Sequence, residues 1–259
     1  MTDANQLTDA TQLTDAVLRH PDAGVLAAAV AARLLTTLVD VQAGGGVPSV
    51  VLTGGTVARV LHRAVRDSAA RDAVDWSRVD FWWGDERFVA ADDSERNEAQ
   101  ARADLLDALS LDPDRVHPMA ALGGRFGEDV DAAAAAYAAE LEAAAAGRDD
   151  GPLFDVLMLG MGPDGHVASL FPGHPGLDDD RPALAVRASP KPPPVRISMS
   201  FATLARASQT WFLVTDEGKA AAVRQALTGA DRVDVPAAGV RGRDRTVWFL
   251  DDAAATQLD

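Results

Sequence analysis

Cysteine is absent from the 259 residues, so the chain can form no disulfide, no thiolate metal site and no cysteine nucleophile. Lysine is nearly absent, with Lys191 and Lys219 the only two. Basic residues as a whole are outnumbered, 24 Lys+Arg against 39 Asp+Glu, for a formal net charge of −15. That balance argues against nucleic acid, an anionic membrane, or any polyanion held on a broad basic face. A small anionic ligand remains compatible, because a local cluster of Arg and Lys can act inside an acidic protein. No uncharged apolar stretch approaches the ~18–20 residues of a membrane span, and the amino terminus lacks a basic start and an apolar signal core. The expectation is a soluble cytoplasmic protein.

What is present is ample apolar material, 47% of the residues, enough for a sizeable core. The length fits one large α/β domain or two small ones. Residues 1–20 read as a flexible extension, since QLTDA occurs at 6–10 and again at 12–16 with little apolar content. From Asp22, a plausible N-cap, an Ala/Leu/Val-rich helix runs to about Val41 and ends at Gly44-Gly45-Gly46. Strands are expected over 47–53, 79–83, 154–159, 195–198, 209–214 and 246–250. Helices are expected over 57–70, from Asp93 or Ser94 to Leu109, over 128–146, 200–205 and 216–227. Strands alternating with helices predict a mostly parallel sheet covered on both faces. No internal linker is long or polar enough to mark a boundary, so residues 21–259 read as one α/β domain.

The most informative stretch is Phe154–Gly176, FDVLMLGMGPDGHVASLFPGHPG. Its apolar start has the character of a buried parallel strand. Gly160, Gly162 and Gly165 follow in a turn that holds Asp164 and His166. Turns at the carboxyl ends of parallel strands are where open α/β sheets bind ligands. The glycines satisfy the G-x-G-x-x-G dinucleotide pattern, but Pro172, Gly173, Pro175 and Gly176 stop the helix that a pyrophosphate site needs. Asp164 would also bring negative charge to the phosphates. An imidazole, with an ordinary pKa of about 6.5, suits a base that takes a proton from water. A histidine in a turn, taken alone, more often serves structure than catalysis. His20, His62 and His117 fall in helical or connector contexts that suggest surface or packing roles, and His174 in the loop beside the turn.

Four further places could bind an anion. Gly54-Gly55-Thr56 joins a strand to a helix, so backbone N–H groups and a hydroxyl could cradle one; a tight βα turn is the equal alternative. Gly84-Asp85-Glu86-Arg87 leaves the next strand. There Arg87 could pair a phosphate in forked geometry, Asp85 stands at a strand end, and Glu86 reads as surface charge. Lys191 lies in a proline-stiffened loop with Arg196 five residues on, and Lys219 in a first helical turn where a bound anion would offset its conflict with the helix dipole.

Taken together, Leu-Thr-Gly-Gly-Thr at 52–56, Trp-Trp-Gly-Asp-Glu-Arg at 82–87 with Asn97 downstream, LGMGPDGHVASLFPG at 159–173 and Ser-Pro-Lys-Pro-Pro at 189–193 with Arg196 resemble the 6-phosphogluconolactonase family. The resemblance spans about Asp22 to Asp251. It implies hydrolysis of 6-phospho-D-glucono-1,5-lactone to 6-phospho-D-gluconate, in the oxidative pentose phosphate pathway, with no metal or organic cofactor. It implies the fold of glucosamine-6-phosphate deaminase and ribose-5-phosphate isomerase, and leans towards a monomer. His166 would be the general base and Asp164 the group that orients it. Gly54, Gly55, Thr56, Arg87, Lys191 and Arg196 would surround the sugar phosphate, with Asp85 and Lys219 added by their positions. The alternatives are a glucosamine-6-phosphate deaminase, in which Asp85 would abstract a proton, and a binding protein without catalysis. Against the deaminase, Ser169-Leu170-Phe171-Pro172 stands where Asn-Glu would follow the glycine turn.

Overall fold

The computed structural model describes residues 16–258 apart from 147, 149 and 150, so the QLTDA duplication lies outside the described residues except for Ala16. In chain order the elements are β1 (Ala16–His20), α1 (Ala23–Ala43), β2 (Ser49–Leu52), α2 (Thr56–Asp67), β3 (Asp80–Trp83), β4 (Asp85–Arg87), α3 (Asn97–Asp104) and β5 (Val116–His117). There follow α4 (Val130–Ala145), β6 (Phe154–Gly160), β7 (Ala183–Val186), β8 (Arg196–Met199), α5 (Phe201–Leu204), β9 (Ala207–Val214), α6 (Ala220–Leu227) and β10 (Arg245–Asp251). Seven strands form one sheet in the order β1-β10-β9-β6-β2-β3-β5, every pairing parallel. A second sheet, β4-β8-β7, is antiparallel.

Two-residue alternation explains why the main sheet is covered twice. Val50, Leu52, Phe81, Trp83, Val156, Met158, Trp211, Leu213, Val247 and Phe249 join the buried faces of α1, α2 and α3. Their neighbours Val51, Trp82, Leu157, Leu159, Phe212, Val214, Trp248 and Leu250 face the other way, onto α4, α5, α6 and the small sheet. The α/β class and its mostly parallel sheet are as the sequence implies, with one addition: the second face is closed by strands as well as helices.

Local chemistry fixes several boundaries. Asp22 caps α1 as expected, its Oδ1 accepting from Val25 N–H at 2.9 Å. Ser200 caps α5 in the same way, and Asp129 caps α4. Helix α1, at mean hydropathy 1.7, is long and apolar enough to cross a bilayer by length and composition alone. Its buried stripe, from Leu26 to Leu38, packs on the sheet instead.

Three readings are corrected, and one strand is added. Residues 16–20 are not part of a flexible extension: they form β1, paired with β10 from Ala16↔Val247 to His20↔Asp251. The Asp85–Arg87 turn is itself a strand. Helix α3 begins at Asn97, not at Asp93 or Ser94, because its amino end is capped from elsewhere (below). Residues 183–186, to which the sequence assigned no element, form β7.

Candidate active site

Strand β2 passes on through α2 to β3 on one side of the sheet, whereas its neighbour β6 leads to β9 on the other. The connections diverge there, and such a switch point opens a crevice beyond the carboxyl ends of the two strands. A cavity of about 490 Å³ occupies that position. Its walls come from the segments after β2 (Thr53–Val57), after β3 (Asp85, Arg87), after β6 (Gly160–Pro163, His166, Ala168) and after β9 (Thr215, Asp216, Lys219), with Asn97, Lys191, Pro192 and Arg196 completing it. Nine of the ten candidate residues line it, and the tenth, Asp164, is bonded to His166.

The β6 turn is built to aim the imidazole. Gly162 N–H donates to His166 O at 3.0 Å and Gly165 N–H to Gly162 O at 3.0 Å, closing a tight loop with Gly165 at φ 80°. His166 Nδ1 lies 2.5 Å from Asp164 Oδ1, and the ring packs against Phe171 at 4.6 Å between centroids. A Cβ on Gly162 would sit 2.1 Å from the ring, so only glycine leaves room for it. Burial raises the Asp164 carboxyl, but the hydrogen bond and charge of His166 together with Lys191 outweigh it and hold the group well below the usual aspartate range. An ionised Asp164 fixes the proton on Nδ1 and leaves Nε2 as the basic nitrogen.

Both lysines of the chain reach this cavity. Lys191 Nζ stands 3.5 Å from Asp164 Oδ1 and 3.4 Å from His166 Nδ1. Burial lowers the pKa of Lys219, with Asp216 opposing and Lys191 adding to the effect. Helix α2 starts at Thr56 with no side-chain cap, after Gly55 at φ 93°, so its first N–H groups face the cavity unclaimed. Arg87 Nη1 donates to Glu95 O at 2.6 Å and Asn97 Oδ1 at 2.9 Å, which leaves part of its fork for a ligand. A cationic pocket thus sits inside a protein of net charge −15.

Arg196 and Asp85 are engaged internally. The Arg196 guanidinium donates to the carbonyls of Lys191 (3.1 Å), Pro192 (3.2 Å) and Pro193 (3.2 Å), and so ties down the loop that carries Lys191. Asp85 Oδ2 accepts from Ser169 Oγ at 2.7 Å and lies 3.9 Å from Arg196 Nη1.

Glu86, read as surface charge, is 1% exposed. In a strand its side chain points opposite to those of Asp85 and Arg87, and here that direction is inward. Its Oε1 accepts from Arg87 N–H (2.8 Å) and Asn97 N–H (2.7 Å), and its Oε2 from Glu98 N–H (2.9 Å). It therefore supplies the cap that Arg96, at the N-cap position of α3, does not. Burial pushes the Glu86 carboxyl up to about 7, against the pull of Arg96 and the three N–H donors. Two wall residues carried no assigned role in the sequence. Asn97 touches the Gly54 loop so closely that a Cβ there would sit 1.8 Å from its Oδ1. Asp216 holds φ 96° and caps its own turn through Gly218 N–H at 2.8 Å. An acid followed by glycine two residues on was the available signal for that turn.

The model of the family described as glucosamine-6-phosphate isomerases/6-phosphogluconolactonase matches residues 21–248. A 6-phosphogluconolactonase of Streptomyces coelicolor is 54% identical over 242 residues, 92% of this chain and 93% of that protein. The crystal structure of 6-phosphogluconolactonase from Thermotoga maritima superposes at TM-score 0.79 with 25% identity, covering 92% of this chain and all of that one. A monomeric glucosamine-6-phosphate deaminase superposes at TM-score 0.76 over 93% of this chain and 99% of that one, at 19% identity, a likeness of fold alone.

Proposed function

The chain belongs to the family of glucosamine-6-phosphate isomerases and 6-phosphogluconolactonases, and from that premise we propose that it hydrolyses 6-phospho-D-glucono-1,5-lactone to 6-phospho-D-gluconate. The observation that carries the reading is the His166–Asp164 pair, 2.5 Å apart, set in a cavity that also receives both lysines and the open end of α2. Nε2 of His166 takes a proton from water as the oxygen bonds to C1 of the lactone. The carbonyl electrons move onto its oxygen, and the nearby cations oppose that charge. Collapse of this intermediate breaks the C1–O5 bond, and the electron pair leaves on O5, which takes the proton back from Nε2. The product acid then ionises. Arg87, Lys219, Thr56 and the Gly54-Gly55 backbone bind the phosphate in this reading, and Lys191 serves both the phosphate and the developing oxyanion.

The deaminase alternative needs Asp85 as a free base, and its Oδ2 is already held by Ser169 and Arg196. The apolar stripe of α1 is buried against its own sheet rather than offered to a bilayer, which fits the soluble cytoplasmic monomer expected from the sequence; light scattering on the purified protein checks the mass. The function is tested by generating the lactone in place with glucose-6-phosphate dehydrogenase and following 6-phosphogluconate. Acceleration above spontaneous hydrolysis supports lactonase activity. No acceleration, with ammonia released from glucosamine 6-phosphate, favours the deaminase instead.

A further inference from the structure

Strand β4 puts three consecutive charged side chains to two uses. Asp85 and Arg87 line the cavity, while Glu86 between them turns into the protein. Its two oxygens take the N–H groups of Arg87, Asn97 and Glu98 at 2.7–2.9 Å, with Arg96 Nη2 at 3.8 Å. One buried carboxylate therefore joins the strand that carries Arg87 to the first turn of the helix that carries Asn97. Those two side chains meet at the cavity wall: Arg87 Nη1 donates to Asn97 Oδ1 at 2.9 Å, and Asn97 Nδ2 donates to Asp85 O at 2.8 Å. The same Asn97 oxygen bounds the Gly54 loop. Moving α3 relative to β4 would open the Arg87–Asn97 bond and shift the guanidinium from its place.

We propose that Glu86 is a positioning residue of this site: it sets Arg87, directly and through Asn97, for the phosphate of the substrate without touching substrate itself. The inference rests on the lactonase reading, in which Arg87 binds that phosphate. It locates the effect of Glu86 in ground-state binding, because the His166–Asp164 pair is on a different loop, after β6.

The test is Glu86→Gln, which keeps the volume but replaces one acceptor oxygen with a donor. The KM for the lactone and the Kd for 6-phosphogluconate should rise about tenfold, the scale of one hydrogen bond to a charged group, with kcat changed less than about twofold. In an Arg87→Ala background the same substitution should leave Kd unmoved, because the group it acts through is gone. A merely structural Glu86 would lower the melting temperature while leaving the KM of the folded enzyme at the wild-type value, and that result overturns the proposal. So does an undiminished effect in the Arg87→Ala background. If Glu86→Gln does not fold, amide exchange of the wild-type protein decides. The Asn97 and Glu98 N–H groups should be protected and gain protection with 6-phosphogluconate; unprotected amides there contradict the proposal. Absence of turnover in the wild type would instead overturn the lactonase reading, so the two failures are distinct.

Discussion

His166 depends on two neighbours of different kinds, one that holds its proton and one that leaves it space. Asp164 accepts from Nδ1, and Asp164→Asn would remove the charge that favours the protonated Nδ1 and the imidazolium formed on proton transfer. We expect kcat to fall by about 10²-fold, the low end of what general-base catalysis supplies, with KM changed little in steady-state assays. The depressed Asp164 carboxyl has a consequence for stability. A folded pKa below the unfolded value contributes stability present above about 3.8 and lost as pH falls towards the folded value, so acid unfolding of Asp164→Asn should lack that component. Gly162 supplies the space. Gly162→Ala, whose Cβ would stand 2.1 Å from the ring, should abolish turnover while far-UV circular dichroism still reports the fold. His62 shows the opposite economy. It is 3% exposed with both ring nitrogens unpartnered, and burial lowers its pKa to about 4. A lowered histidine pKa means that the unfolded chain takes up the proton first, so stability is lost as pH falls from 6.5 towards 4. Glu86, raised by burial, acts with the opposite sign between 4.5 and about 7, so the comparison must be with His62→Leu. The difference in unfolding free energy should move by about 3 kcal/mol in favour of that variant between pH 7 and pH 4.

Among the elements, the chain's one tyrosine ties a helix to the end of a strand that leads into the site. Tyr137 on α4 is buried, accepts from Trp83 N–H at 3.1 Å and donates to Trp83 O at 3.0 Å. Those are the last backbone groups of β3 before Gly84 and Asp85. Tyr137→Phe leaves both unsatisfied in the core and should cost about 1–3 kcal/mol, read by urea unfolding. Elements of this kind were unevenly legible in the sequence. Strands β2, β3, β6, β9 and β10 are short apolar runs between glycines or acids, and helices α1 and α4 carry caps at Asp22 and Asp129. Strand β1 was missed because its burial alternates weakly at a sheet edge, with Val17 and Arg19 exposed. Of the antiparallel sheet only β8 was anticipated, because β4 and β7 have at most four residues each and β4 finds its partner more than a hundred positions away. The site was legible where a glycine turn and its polar residues lie together, as in 160–166. Glu86 was misread because nothing local tells a strand's inward acid from an outward one; only the helix that it caps does so.

At the scale of the whole molecule, the anionic surface and the cationic cavity belong to one design. The chain has a net charge of −15, yet its two lysines converge on a single crevice at the switch point of the sheet. Long-range attraction of an anionic substrate is therefore unfavourable, and binding must come from contacts made inside the cavity. Added salt should consequently raise kcat/KM or leave it level up to physiological ionic strength, because it screens the repelling surface more than the enclosed contacts; a steep fall would place the dominant charges outside. The central claim, that this cavity opens a lactone with His166 as base, is tested most directly by comparing wild type with His166→Ala in two measurements: turnover of the freshly generated lactone, and calorimetric binding of 6-phosphogluconate. The account predicts a fall in kcat of about 10²–10⁴-fold with Kd within about threefold of wild type. A His166→Ala enzyme that still turns over at the wild-type rate would contradict it.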